Sequence, residues 1–486
     1  MTERLRPEDV ALLAAESAST PLHNATLEIF DPVDPVDPVD YDRLLALVAD
    51  RLAFVPRYRQ RVRSVPGRLA YPVWVDDEDF DLTYHVRRSA LPRPGSMEQL
   101  RDLTARIMPR RLDRSRPLWE MYLIEGLEGG RFALLTTSHQ VLVDGVSTVD
   151  LGQVILDDDP DPPETVHLEW RPLSAPSHST LVLDAMRDSV RHPRDAVATL
   201  VDNAGSLGRT AGRVGDRVGE LAALMGNRRA APESPVHARL SEQRRFVTVR
   251  TPLADYRAVR SFHGGTVNDV VLATVTGGLR SWLMTRAESV HGSRTLRAMV
   301  PMSVIDNDLE ATSLGSQVLG RLLSLPVGEA SPVVRLHQVS YALKAHKETG
   351  RAVAADRLAG LAGFAPATFH ALGARVAMSA QRRGFDLVVA NVPGPQFPLY
   401  AAGARMAESY PVQPLTEGHA LAIGVTSYDG GVHFGLTGDR DAVPDLDVLG
   451  QCLAEALEEL VDTMSPARQR APRGRGGPGR SGGRSS

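Results

Sequence analysis

The 486-residue chain is poor in the features that would mark several common protein classes. It has one cysteine, Cys452, so no internal disulfide can form, as expected of a chain kept in a reducing cytoplasm. No run approaches the ~18 apolar residues of a membrane-spanning helix. The opening "MTERLRPEDV" lacks the apolar core of a secretory signal. Basic excess is missing too: the formal net charge is −4. The stretch from Pro466 to Ser486 carries six arginines and no acid, so setting it aside leaves −10 on the body. An acidic body argues against nucleic-acid binding. The Gly- and Arg-rich end has too few apolar residues to fold and reads as a disordered tail, either solubilising or weakly attracted to anionic lipid.

What is present is an ordinary globular composition, 43% hydrophobic and 23% charged, at a length that suggests two domains. "DPVDPVDPVD" (31–40) reads as an exposed loop because proline breaks helix and ladder alike. "YDRLLALVADRLAFV" places Leu44, Leu45, Val48, Leu52 and Val55 at helical spacing, and "SMEQLRDLTARIMPRRLD" reads as a helix capped by Ser96. "GRLAYPVWVDD", "DLTYHVRR" and "RFALLTTSH" read as strands, the last one buried. A helical register resumes after Gly145, so His139 to Gly145 forms the exit from a strand into a helix, where a rigid scaffold presents side chains. A second half begins near "RRFVTVRTPL" and alternates strands such as "ALAIGVTSYDG" and "GVHFGLTGD" with helices such as "VNDVVLATVTGGLRSWLMTR". The pattern predicts an α/β (α+β) protein of two sandwich layers. Its divisions are residues 1–185, a helical crossover 186–240, a second domain 241–465 and the tail 466–486.

At "HQVLVDG" (139–145) the chain resembles the HHxxxDG acyltransferase superfamily, which includes chloramphenicol acetyltransferase and peptide-synthetase condensation domains. Six further blocks narrow the resemblance to bacterial wax ester synthase/diacylglycerol acyltransferases. They are "LRPEDVALLAAESASTPLHNATLEIF", "SRPLWEMYLIEGLEGGRFAL", "GGTVNDVVLATVTGGLRSWL", "VPMSV", "NVPGPQFPLYAAGARM" and "GVTSYDGGVHFGLTGDRDAVPDL", in family order from Leu5 to Leu446. The resemblance implies two chloramphenicol-acetyltransferase-like domains with a cleft between them. It implies no metal and no prosthetic group, with long-chain acyl-CoA as co-substrate and diacylglycerol or a fatty alcohol as acceptor. It implies a cytoplasmic enzyme working peripherally at a membrane or lipid-droplet surface.

Transfer from a thioester to an alcohol requires the hydroxyl to lose its proton as it attacks, a task suited to imidazole. It also requires donors facing the developing oxyanion. In the family the second histidine of the motif is the base. Carried over, the first histidine matches His139, Gln140 occupies the base position, Asp144 holds the loop and Gly145 permits the turn. Glutamine is not a usable base near neutrality, and losing a general base typically costs ~10²–10⁴ in rate. Gln140 then orients the alcohol, or His139 serves as a displaced base; strand alternation would instead turn His139 to the core and Gln140 to the cleft. Asn268 and Asp269 read as helix capping and first-turn charge, while the resemblance places them at the substrate, with Asn268 near the reacting thioester as an oxyanion donor. Arg116, Pro117, Trp119 and Glu120 of "SRPLWE" are expected at the cleft, with Trp119 as packing and Arg116 or Glu120 pinning it. Asn391, Pro393 and Gly394 of "NVPGP" are expected as turn chemistry there. Ser316 stands where the family has asparagine. His23, His85 and His346 default to structural roles. The rival reading is a catalytically impaired paralogue that binds acyl lipids or partners, favoured by Gln140. A condensation domain is disfavoured because no carrier-protein domain accompanies the chain.

Overall fold

A computed structural model of the protein describes residues 3–32, 40–142, 151–161, 170–191, 236–304, 317–349 and 384–465. The first half supplies β1 (His23–Phe30), β2 (Gln60–Arg63), β3 (Val73–Asp76), β4 (Val86–Ala90), β5 (Trp119–Glu125) and β6 (Phe132–His139). The second supplies β7 (Arg244–Pro252), β8 (Leu296–Val304), β9 (Gln317–Leu325), β10 (Leu387–Pro393), β11 (Tyr400–Ala401), β12 (Ala404–Val412), β13 (Leu421–Tyr428) and β14 (Gly431–Asp439). Two six-stranded sheets result, ordered β11-β12-β1-β6-β5-β4 and β7-β14-β13-β10-β8-β9, with β2 and β3 as a separate hairpin.

The sheets do not divide where the chain does. After β10 the chain leaves the second sheet and lays β11 and β12 on the edge of the first, where β12 runs antiparallel to β1 with Ala25 opposite Val412 and Leu27 opposite Tyr410. The crossing strand meets two glycines of the second sheet. A Cβ on Gly435 would fall 1.9 Å from the Pro411 carbonyl oxygen, and one on Gly424 would fall 2.8 Å from the Pro411 Cβ. Any side chain at either position would push the two halves apart.

Each half has its own packing. In the second, the helices Val267–Thr285 and Leu446–Asp462 cover one face of the sheet through Val275, Leu279, Leu449, Leu453, Ile423 and Phe434. The first sheet is buried on both faces. One packs Phe30, Phe132, Leu134 and Trp119 with Leu12 and Tyr58, while the other packs Leu27, Leu135 and Tyr122 against Leu100 and Ile107 of the helix Met97–Ile107 and against Phe246 of β7.

Ser96 does cap that helix, in a reciprocal box with Gln99. The helix Tyr41–Arg51 is capped instead by Asp40, the last residue of the Asp-Pro-Val repeat. "DLTYHVRR" departs from the strand expected of it. Asp81 accepts from the Thr83 amide and caps a single helical turn, Leu82–His85, before β4 begins at Val86. Residues 162–169 and 192–235, which include most of the expected crossover, and the tail 466–486 lie outside the described residues.

Candidate active site

β6 is buried along its whole length and ends at His139; Gln140 opens a 3-10 turn, Gln140–Leu142. Alternation therefore carries through His139 and stops there. His139 shares a face with Leu135 and Ala133, beside His23, its cross-strand partner on β1. The Val141 amide donates to His139 Nδ1 at 3.2 Å, which leaves Nε2 to carry the proton of the neutral ring. That Nε2 stands 3.9 Å from Glu16 Oε1, and the other oxygen of Glu16 is held by Arg114, whose guanidinium also donates to the Leu13 carbonyl at 2.6 Å. Burial pushes the His23 imidazole down to about 4, although Glu16 pulls in the opposite direction. Glu16 and Arg114 were not singled out from the sequence, and only the opening block that contains Glu16 hinted at them.

Gln140 has no solvent exposure, and its backbone N–H donates to the Leu22 carbonyl at 3.0 Å. Neither Nε2 nor Oε1 of its side chain has a hydrogen-bond partner among the described residues. Two more buried amides share this condition, Asn24 on β1 and Gln413 just past β12. The pairing of Ala25 with Val412 and of Asn24 with Ser138 places Gln413, Asn24 and Ser138 in a row across three strands, with Gln140 two residues beyond Ser138. The row lies at the joint, since a Cβ on Gly424 of the second sheet would come within 3.2 Å of Gln413 Cγ. Asp144, Gly145 and Ser316 lie outside the described residues.

The second half brings two expected motifs together. Asn391 on β10 donates from Nδ2 to Asn268 Oδ1 at 2.7 Å. Asp269 closes a capping box with Thr266 and accepts a further bond from the Ser340 hydroxyl at 2.8 Å, so its carboxylate is committed to the helix start. Pro393 ends β10, and the Gly394 amide donates to the Ser427 hydroxyl at 3.3 Å where the chain turns toward β11.

The "SRPLWE" residues do different work from one another. Trp119 is fully buried, donates from Nε1 to the Tyr58 carbonyl at 2.7 Å and stacks on His85 at 4.6 Å. His85 Nδ1 lies 2.8 Å from the Trp119 carbonyl, and burial lowers its pKa to about 4. Pro117 is buried, and its own carbonyl accepts from the Trp119 amide at 3.0 Å. Arg116 sits 4.0 Å over the Tyr84 ring, while Glu120 is held by Arg87 at 2.8 Å and by the Tyr122 hydroxyl at 2.6 Å. His346 is on the helix Pro332–Thr349. Among the described residues no group of three or more His, Cys, Asp or Glu side chains could hold a metal ion.

Known proteins resemble this chain over most of its length. The model of the wax ester synthase/diacylglycerol acyltransferase catalytic domain matches residues 5–271, and that of the family's C-terminal domain matches residues 314–461. A putative diacylglycerol O-acyltransferase of Mycobacterium bovis is 33% identical over 465 residues, 95% of this chain and 99% of the relative. The wax ester synthase/diacylglycerol acyltransferase structure from Marinobacter aquaeolei VT8 superposes with a TM-score of 0.63 at 28% identity, over 95% of this chain and 99% of that one. The first condensation domain of the CDA synthetase shares the fold alone, with a TM-score of 0.54 at 16% identity over 95% and 97%. The family models, which together span most of the chain, and a relative one third identical over nearly its whole length make this chain a member of the wax ester synthase/diacylglycerol acyltransferase family of O-acyltransferases.

Proposed function

We propose that the protein transfers a long-chain acyl group from its coenzyme A thioester to the hydroxyl of diacylglycerol or a fatty alcohol, with Gln140 as the group that orients the hydroxyl. The observation that carries this reading is the buried side-chain amide of Gln140 at the base position of the motif, which has no hydrogen-bond partner among the described residues. A buried amide lacking a hydrogen bond costs about 1–3 kcal/mol, and a substrate hydroxyl donating to Oε1 would recover it. As the hydroxyl oxygen attacks the thioester carbonyl, the carbon–sulfur bond breaks and the alcohol's proton passes to the departing thiolate. Holding the two reactants together supplies much of the rate even without a base. Asn268, oriented by Asn391, is the candidate donor to the carbonyl oxygen.

His139 is assigned a supporting role. Its ring accepts the Val141 amide and faces Glu16, a structural role in the core of the turn. Asp144 and Gly145 keep the roles implied by the motif. No cofactor beyond the thioester is required by this chemistry.

The site of action is a membrane or lipid-droplet surface, reached peripherally from the cytoplasm. Among the described residues no helix is long and apolar enough to cross a membrane. Leu183 and Met186, three residues apart on the helix His178–Arg191, are each more than half exposed and suit shallow contact with lipid.

Incubating the purified protein with labelled palmitoyl-CoA plus dioleoylglycerol or hexadecanol, and resolving the products by lipid class, tests the reading. Label in triacylglycerol or wax ester is the expected result. Gln140 itself favours one rival, a non-catalytic binder of acyl lipids; palmitoyl-CoA binding without any ester would establish that rival instead.

A further inference from the structure

Away from the amide row, the joint holds a groove of about 690 Å³ between the helix Met97–Ile107 and the start of β7. Five arginines line it, against three carboxylates. Arg101 and Arg106 come from the helix, Arg244 and Arg245 from β7, and Arg440 from the residue after β14. A net positive lining is conspicuous on a body whose overall charge is −10.

Only Arg244 is fully committed to the fold. It is buried, pairs with Asp439 at 3.4 Å and donates to the carbonyls of Ser241, Gln243 and Ser19. The others retain donors. Arg101 and Arg106 use Nε on carbonyls of their own helix, at 3.2 Å each, and neither has a carboxylate within 4.0 Å among the described residues. Arg245 reaches Asp447 only at 4.0 Å, and its Nε is buried without a partner. Arg440 is exposed, and among the described residues its guanidinium holds only the Gln243 side chain, at 2.6 Å. Convergent guanidinium forks in a concave site of this size match phosphate oxygens in charge and geometry.

Two contacts connect the groove lining to the surroundings of the motif. Phe246, on its wall, packs in the same apolar cluster as Leu135, on the face that His139 shares. Arg244 bonds the Ser19 carbonyl, three residues from the Glu16 that faces His139.

We propose that this groove is the phosphate-binding site for the nucleotide end of the thioester donor, with Arg101, Arg106, Arg245 and Arg440 as phosphate ligands. The inference rests on the acyl-CoA reading above. The same chemistry would suit a phospholipid headgroup, so the test has an arm for each source.

Calorimetric titration of the full chain with 3′-phosphoadenosine 5′-phosphate reads the groove directly, without turnover. The double variant Arg245→Gln/Arg440→Gln should bind it at least ~10-fold more weakly, with the wild-type affinity falling as salt rises. The same variant should raise KM for palmitoyl-CoA and leave KM for palmitoyl-pantetheine, which has no phosphate, unchanged. Unaltered nucleotide affinity in a variant with a wild-type melting curve overturns the proposal. So does a variant that keeps nucleotide affinity but loses binding to phosphatidylglycerol vesicles, which would give the groove to headgroups. Absence of ester from either donor would refute acyl transfer alone, and the titration would still decide the groove.

Discussion

Replacing Gln140 by histidine restores the residue type of the family motif, and the structure bounds what that should achieve. A positioned general base contributes ~10²–10⁴ in rate. This environment weakens imidazoles: burial brings His23 and His85 down to about 4. A new ring in the fully buried position of Gln140 should be depressed in the same direction and stay neutral at pH 7, ready to accept a proton but less basic than usual. That lower basicity removes part of the contribution, so the expected gain for Gln140→His is about 10-fold or more, short of the full general-base effect. Because the ring remains neutral, the gain should be flat between about pH 6 and 8. Ester formation from labelled palmitoyl-CoA, followed alongside thermal melting, measures it. An unchanged rate in a variant that melts like the wild type would refute a site that lacks only its base.

His139→Ala should lower the melting temperature by removing the acceptor of the buried Val141 amide, at a cost of about 1–3 kcal/mol, and should reduce ester formation only in proportion to folded protein. Abolished turnover at an unchanged melting temperature would make His139 the base. Acid should destabilise the fold early. His23 and His85 are depressed from 6.5 to about 4, so the unfolded chain binds protons first as pH falls, and each costs about 2 kcal/mol by pH 5. Denaturant titrations at pH 7 and pH 5 check this, and equal midpoints would contradict the burial of both rings. Gly435→Ala should cost at least ~1–3 kcal/mol because its Cβ meets backbone at Pro411, and an unaffected melting curve would disprove the close approach of β12.

Much of the architecture was legible in the sequence, and particular residues show where legibility ended. The apolar first half of β6, the Ser96 box and the long helices after Thr266 and Asp445 follow from spacing and capping, which are local. The turn at Leu82–His85 was missed because β-prone residues such as Tyr84 and Val86 outweighed the Asp81 cap in the pattern. The placement of β12 beside β1 could not be read from either segment, since any buried strand of that length could have filled the edge. The candidate site divides the same way. His139, Gln140, Asn268 and Asn391 announce themselves by motif. Glu16, Asn24, Arg114 and Gln413 come to notice only through register and contact, since as isolated letters they look like any surface residues.

The crossing strand also has a consequence in time. β1 and β12 are separated by roughly 380 residues, so during synthesis at about 5–20 residues per second one edge of β1 waits some 20–80 s for its partner. That edge carries Leu27 and Ile29 beside open backbone donors and acceptors, a template for pairing with another nascent chain. Ribosomes spaced along one message present such edges to each other at high local concentration. Yield in a cell should thus depend on chaperone capacity and translation rate more than on the stability of the finished protein, and slow codons placed before the β12 segment should lower it.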